Sequence, residues 1–233
     1  MKERPILFSG PMVRALLAGT KTQTRRVAKT EITMGHDSLL APHRGKKHAA
    51  VYLLPKQARE AEILCPYGQP GDRLWVRETF VQGFEYDAVA DRLRQYDDEG
   101  NELPMKTWYR ATDSGIGWSD DDGWETKVPW KPSIHMPRAA SRILLEITAV
   151  RIERLQTISE NDARAEGASY HDGKGIGHSG WRHDYGAVHA DARSAYARLW
   201  NDINGSGAWA ANPWVWVVEF KRVEAAVQAA KGA

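Results

Sequence analysis

The sequence predicts an α+β fold in which short strands dominate and a few helices connect them. Three observations point there. Alternating or β-branched apolar runs stand at 74–80, 141–155 and 213–220. Helix signals, either apolar spacing or caps, are confined to short stretches near 11–18, 158–167 and 191–201. Clusters of Gly, Pro and Asp separate these pieces, as turn residues do.

Taken in order, Ile6, Leu7 and Phe8 form a short apolar strand candidate. Ser9-Gly10-Pro11 then opens a helix whose apolar face is Met12, Val13, Leu16 and Leu17, with Pro in the first turn where its missing N–H costs nothing. Gly19 supplies the left-handed stop. From Lys21 the residues alternate: Lys21, Gln23 and Arg25 point one way, Thr22, Thr24 and Arg26 the other. Lys offers a point charge or, if desolvated, a base; Thr offers a nucleophilic hydroxyl; Arg offers a planar fork for phosphate. A solvated basic edge strand is the competing reading of this stretch.

Residues 28–60 lose periodicity, and a basic cluster (His43, Arg44, Lys46, Lys47, His48) offers phosphate contacts or a solvated loop. Pro70-Gly71-Asp72-Arg73 is a turn into a strand over 74–80, on which Glu78 projects with Leu74 and Val76, either as a polar contact or as an arginine's partner. Residues 81–137 read as an insertion holding a strand candidate at Lys106–Ala111. It also holds a proline-bounded extended segment, 130–138, whose His135 and Arg138 are site candidates. Residues 141–155 form the clearest long strand. A short helix follows, with Ser159 as N-cap, Asp162 three residues on, and Gly167 closing it. Residues 169–189 are rich in Gly and His, which suits a substrate loop; a metal site is the alternative reading. A helix at 191–201 and a strand at 213–220 complete the order, and the tail after Val223 is expected to fray.

Composition narrows the class. The chain has 233 residues, 42% of them hydrophobic, with 20 Gly and 11 Pro, as in ordinary globular proteins. No apolar run approaches the roughly 20 residues of a membrane helix, and Met1-Lys2-Glu3-Arg4 starts no signal-peptide core. A single cysteine, Cys65, excludes an internal disulfide and a Cys-rich zinc site. These features predict a cytoplasmic protein without membrane contact. Residues 1–60 hold 12 Lys/Arg against 4 Asp/Glu, whereas residues 83–126 hold 4 against 12. The basic third suggests a polyanionic partner such as nucleic acid. Ten Trp fit both core packing and base stacking.

The pattern Gly19-x-Lys21-x-x-Thr24-x-Arg26 resembles the signature of the ASCH domain, a small β-barrel family related to PUA RNA-binding domains. Small bacterial members that hydrolyse N4-acetylcytidine carry Lys-Thr-x-Thr-x-Arg, which this chain matches at Lys21, Thr22, Thr24 and Arg26. The flanking Pro5-Ile6-Leu7-Phe8 and Tyr67-Gly68-x-Pro70-Gly71-Asp72-x-Leu74-Trp75-Val76-Arg77-Glu78 are similar to phage- and prophage-borne ASCH proteins. The resemblance implies a PUA-like β-barrel over residues 1–223, of about five or six strands, with flanking helices and two long insertions near 81–137 and 169–189. It also implies a closing strand that returns beside the signature strand.

For chemistry, the resemblance implies an amidohydrolase acting on an acylated nucleobase or nucleoside, without cofactor or metal. Thr24 would attack the acyl carbonyl, Lys21 would accept its proton, Glu166 would orient Lys21 or relay a proton, and Arg26 would hold ligand or buttress the carboxylate. Arg26, Thr22, Arg25 and Glu78 are the substrate-binding candidates. Lys21 and Thr24 are three apart, so a regular strand sends them to opposite faces and a twist after Gly19 is needed to bring them to one ligand. The alternative is an RNA-binding protein, a ribonuclease, or a reader of a modified base that lacks amidohydrolase activity.

Overall fold

The computed structural model describes residues 1–28, 33–34, 38–43, 46–52, 65–87, 92–97, 99–119, 124–175, 177–183 and 186–223. In chain order the elements are β1 (Glu3–Leu7), α1 (Gly10–Leu17), β2 (Gln23–Val27), β3 (Thr33–Met34), β4 (Ser38–His43), β5 (Lys46–Tyr52), β6 (Arg73–Arg77), β7 (Phe80–Gly83), β8 (Tyr86–Asp87), β9 (Arg92–Leu93), β10 (Lys106–Tyr109), β11 (Leu144–Arg154), α2 (Glu160–Ala165), β12 (Ser169–His171), β13 (Gly180–Arg182), α3 (Ala192–Asn204) and β14 (Trp214–Arg222). This is a mixed α+β chain. Arg44, Gly45, residues 53–64, Asp120, Asp121, Asp122, Asp184 and the tail 224–233 lie outside the described residues, and so do the expectations placed on them.

The chain divides into two compact units, Met1–Ile6 with Ala15–Trp75 and Ile143–Ala233, and Leu7–Arg14 with Val76–Arg142. In the first, a five-stranded sheet runs β1-β6-β11-β14-β2. β11 pairs with β14 along nearly its whole length, from Leu145↔Arg222 to Arg154↔Trp214, with a register shift between Ile147 and Ala149. The closing strand does return beside the signature strand, β14 pairing with β2 from Val215↔Val27 to Glu219↔Gln23. The sheet is open: among the described residues no strand pairing closes it into a barrel.

The helices form near the stretches that spacing and the Ser159 cap predict. Ser159 Oγ accepts from the Asp162 backbone N–H at 3.1 Å while the Asp162 carboxylate accepts back from Ser159, a capping box. Asp191 caps α3 through the Ser194 backbone N–H at 2.7 Å. The core under these helices joins Leu155, Ile158, Ala163, Tyr196, Trp200, Val215 and Val217. These come from both helices, the segments beside α2, and the alternate inward positions of β14.

The second unit holds a hairpin-like pair, β7 with β10, around a small core of Phe80, Met136 and Ala140. The strand expected over 74–80 is cut in two here. From Phe80 the chain takes new partners, exchanging backbone hydrogen bonds with Lys131 at 3.2 and 2.8 Å and pairing with Tyr109. The extended segment expected over 130–138 instead contains two single 3₁₀ turns, Ser133–His135 and Arg138–Ala140. Each follows a proline, at 132 and 137, whose fixed φ sets the entry into the turn.

Candidate functional site

The site grows in the first unit, where the chain leaving Ala15 enters β2 beside α2. Gly19 adopts φ +75°, which an L side chain rarely takes, and the backbone N–H groups of Thr20 and Lys21 both donate to the Ala15 carbonyl at 3.0 and 3.1 Å. The chain then runs along the C-terminal end of α2. Lys21 forms an isolated antiparallel bridge with Glu166, the Thr22 N–H donates to the Ala165 carbonyl at 2.8 Å, and Gln23 Nε2 donates to the Asp162 carbonyl at 2.8 Å. Residues 21–23 thereby satisfy part of the helix end whose last carbonyls lack intrahelical donors.

This docking buries a lysine against a glutamate. Lys21 Nζ donates to Glu166 Oε2 at 2.7 Å and to the Glu166 backbone oxygen at 2.9 Å. The other carboxylate oxygen, Oε1, accepts from Arg25 Nη1 at 3.1 Å. Arg25 also donates to Glu153 Oε1 through Nη2 at 2.6 Å and Nε at 3.2 Å, and lies 3.5 Å from Asp162 Oδ2. Arg151 continues the series, reaching Glu153 at 3.1 Å, Asp162 at 2.9 Å, and Glu219. Charges alternate in sign along this ladder while exposure rises. The Lys21 and Arg25 side chains are fully enclosed and Glu166 is 2% exposed, against 35% for Arg151 and 39% for Glu219. One end of the network is dry and the other is wet.

Enclosure decides the electrostatics. Burial lowers the Lys21 pKa below the usual lysine value; Glu166 opposes the shift, and the charges of Arg26 and Arg25 add to it. Burial tends to raise the Asp162 carboxyl, but the Ser159 hydrogen bond and the Arg25 and Arg151 charges outweigh it, and the pKa falls. On β13 and just after it, burial and the neighbouring Lys21 and His189 charges lower the His183 pKa to about 4. Burial also raises the Tyr196 hydroxyl pKa well above its ordinary value.

The expected residues fall into three groups. Lys21, Glu166 and Arg25 meet through one carboxylate, as the parity of 21 and 25 requires. Thr24 is buried, 2% exposed, on the other parity of β2; the described hydrogen bonds of Lys21 and Glu166 do not include its hydroxyl. Arg26 is half-buried and Thr22 exposed, with the Thr22 backbone carbonyl accepting from Phe220 N–H at 2.8 Å. Glu78 belongs to the second unit, where it is 2% exposed and held by Arg142 through two hydrogen bonds of 2.9 and 3.0 Å, with Arg142 stacked on Tyr109 at 3.9 Å. His135 and Arg138 are exposed in that same unit.

Sequence reasoning passed over Glu153 and Arg151, and named His183 only within the 169–189 segment read as a substrate loop or metal site. The first two had a signal: charged residues interrupting the apolar run of β11 at alternate positions, hence on one face. No group of three or more His, Cys, Asp or Glu side chains arranged to hold a metal ion occurs among the described residues. Nor does any helix among them have the length and apolarity to cross a membrane.

No family model, curated protein or solved structure matches this chain.

Proposed function

We propose that the first unit is an amidohydrolase of acylated nucleobases or nucleosides, of the N4-acetylcytidine type, with Lys21 as its base. The carrying observation is the enclosed Lys21–Glu166 pair, in which burial lowers the lysine pKa while a carboxylate holds the ammonium in place. A lysine that releases its proton closer to neutrality is suited to accept one from a hydroxyl. Structural ion pairs share this pattern, so the pairing supports the reading through its depth and asymmetry: one carboxylate oxygen serves Lys21 and the other Arg25.

In this reading Thr24 Oγ attacks the acyl carbonyl as Lys21 Nζ accepts the hydroxyl proton. The tetrahedral intermediate collapses with cleavage of the C–N bond, and Lys21 returns the proton to the departing exocyclic nitrogen. Water then attacks the threonine ester, again with Lys21 accepting a proton, releasing the carboxylic acid and restoring Thr24. Glu166 orients Lys21, and Arg25 holds Glu166. The reading requires a twist or bulge just after Gly19 for Lys21 and Thr24 to reach one ligand. Arg26 is assigned to the ligand.

The test incubates the protein with N4-acetylcytidine and follows cytidine and acetate by chromatography. Wild-type turnover, lost in Lys21→Ala and in Thr24→Ala with nucleoside binding retained in the latter, is the expected result. Binding of acetylated RNA without release of acetate would instead favour a reader.

A further inference from the structure

β12 and β13 form a hairpin that no part of the mechanism above uses. β12 and β13 pair as Ser169↔Arg182, Tyr170↔Trp181 and His171↔Gly180. Trp181 is also clamped to His189 by two backbone hydrogen bonds of 2.7 and 2.8 Å. The closure is tight, since a Cβ on Gly180 would lie 2.3 Å from the His189 carbonyl oxygen. The hairpin is seated on both helices. The Arg164 guanidinium of α2 covers the Trp181 ring at 4.5 Å, and the His183 ring stands 6.0 Å from the Tyr196 ring of α3.

This mount carries two imidazoles whose Nε2 atoms are shielded from solvent and have no hydrogen-bond partner among the described residues, those of His183 and His189. A buried polar atom left unpaired costs roughly 1–3 kcal/mol, and such atoms in folded proteins call for an explanation. A uniformly structural role explains them poorly, because a phenyl ring in the same place would pack without that cost. Ser169, three residues beyond the Glu166 that holds Lys21, pairs with Arg182, the chain neighbour of His183, and Lys21 acts in turn on the His183 pKa.

We propose that His183 is a ligand-contacting residue of the Lys21 site, its Nε2 forming a hydrogen bond to an uncharged polar group docked beside Lys21. The charge arrangement selects that class. Lys21 is matched by Glu166, Arg25 by Glu166 and Glu153, and the half-buried imidazole is neutral near pH 7, so the enclosed end of the network offers the ligand no unmatched charge. An amide or the edge of a nucleobase meets the unpaired nitrogen without bringing a charge into a dry site. This inference rests on the assignment of Lys21 as the seat of chemistry, and it makes the hairpin the element that distinguishes a neutral base from a phosphate.

The experiment uses full-length protein labelled with ¹⁵N-histidine at pH 7, with the His183 ring nitrogens assigned from His183→Asn and His183→Phe. N4-acetylcytidine, cytidine and inorganic phosphate are titrated separately. The expected result is a saturable shift of the His183 Nε2 resonance with the nucleosides and none with phosphate. In turnover, His183→Phe is expected to raise KM roughly tenfold with kcat within about twofold, as loss of one neutral hydrogen bond implies. His183→Asn is expected to recover part of that loss, and His183→Phe to melt no lower than wild type. Unchanged KM in both variants, or a ring that answers phosphate alone, overturns the contact while leaving the hydrolase assignment standing. A nucleoside-dependent ring shift without turnover does the opposite. Silence of the ring to every probe overturns the contact whether or not turnover is seen.

Discussion

Lys21 Nζ is held by both oxygens that Glu166 offers on that side, the carboxylate Oε2 at 2.7 Å and the backbone carbonyl at 2.9 Å, across 145 residues of chain. Two fully enclosed charges are expensive to desolvate, by several kcal/mol per ion, and persist only where hydrogen bonds complete their shells. Here the completion is mutual: Arg25 occupies the second carboxylate oxygen and is itself completed by Glu153.

Glu166→Gln leaves the Lys21 ammonium without its nearest opposite charge in a dry site. Unfolding by urea is expected to show a loss of roughly 3–5 kcal/mol, and the Lys21 pKa should fall further because Glu166 is what raises it. Lys21→Met should cost less, since Glu166 keeps Arg25. Equal stabilities for wild type and Glu166→Gln would show that the pair contributes nothing to the fold.

Arg25→Lys keeps the charge and loses the fork. One ammonium cannot reproduce the separate contacts to Glu166 and Glu153, so a loss of roughly 2–4 kcal/mol is expected. If Arg25 positions Glu166 for catalysis, kcat should fall with KM nearly unchanged; a change confined to KM would place Arg25 on the ligand instead.

The His183 pKa falls from 6.5 to about 4 on folding. Between those values the unfolded chain binds the proton and the folded one does not, so stability declines as pH drops from about 6.5 to about 4. The full penalty is present below the folded value, about 3 kcal/mol for a shift of this size. Urea midpoints taken across pH 4–7 should fall less steeply in His183→Phe than in wild type, and identical slopes would contradict the neutral, enclosed imidazole.

Gly167→Ala tests the backbone beside Glu166. Gly167 has φ +104°, and a Cβ there would stand 3.0 Å from the Ala15 Cβ and 3.4 Å from the Lys21 Cβ. Strain of roughly 1–3 kcal/mol is expected, visible as a lowered melting temperature. Turnover should fall as well, because the neighbour that must give is Ala15, whose carbonyl holds the Thr20 and Lys21 backbone N–H groups.

Much of the local architecture was legible before any tertiary contact was known. The stop at Gly19, the Ser159 cap with Asp162 three residues on, the helix beginning near 191, the long strand of β11 and the closing strand of β14 are each specified by fewer than about a dozen neighbouring residues, through turn chemistry, caps and side-chain period. The alternation of Lys21, Gln23 and Arg25 was likewise readable, and in the folded chain those three side chains all reach the end of α2 or its carboxylate.

Partner choice was not readable. Nothing local to Arg25 says that its fork is filled by Glu166 and Glu153, or that Glu78 answers to Arg142 beyond a break in its strand. The Arg25 pairings follow from which segments the β11–β14–β2 register and the docking of residues 21–23 on α2 bring together. Sequence by itself determined the types and spacing of the groups, because backbone preference and periodicity are local. The tertiary structure decided which charges are dry and which carboxylate each cation meets, because desolvation and Coulomb attraction depend on distance in space, not along the chain.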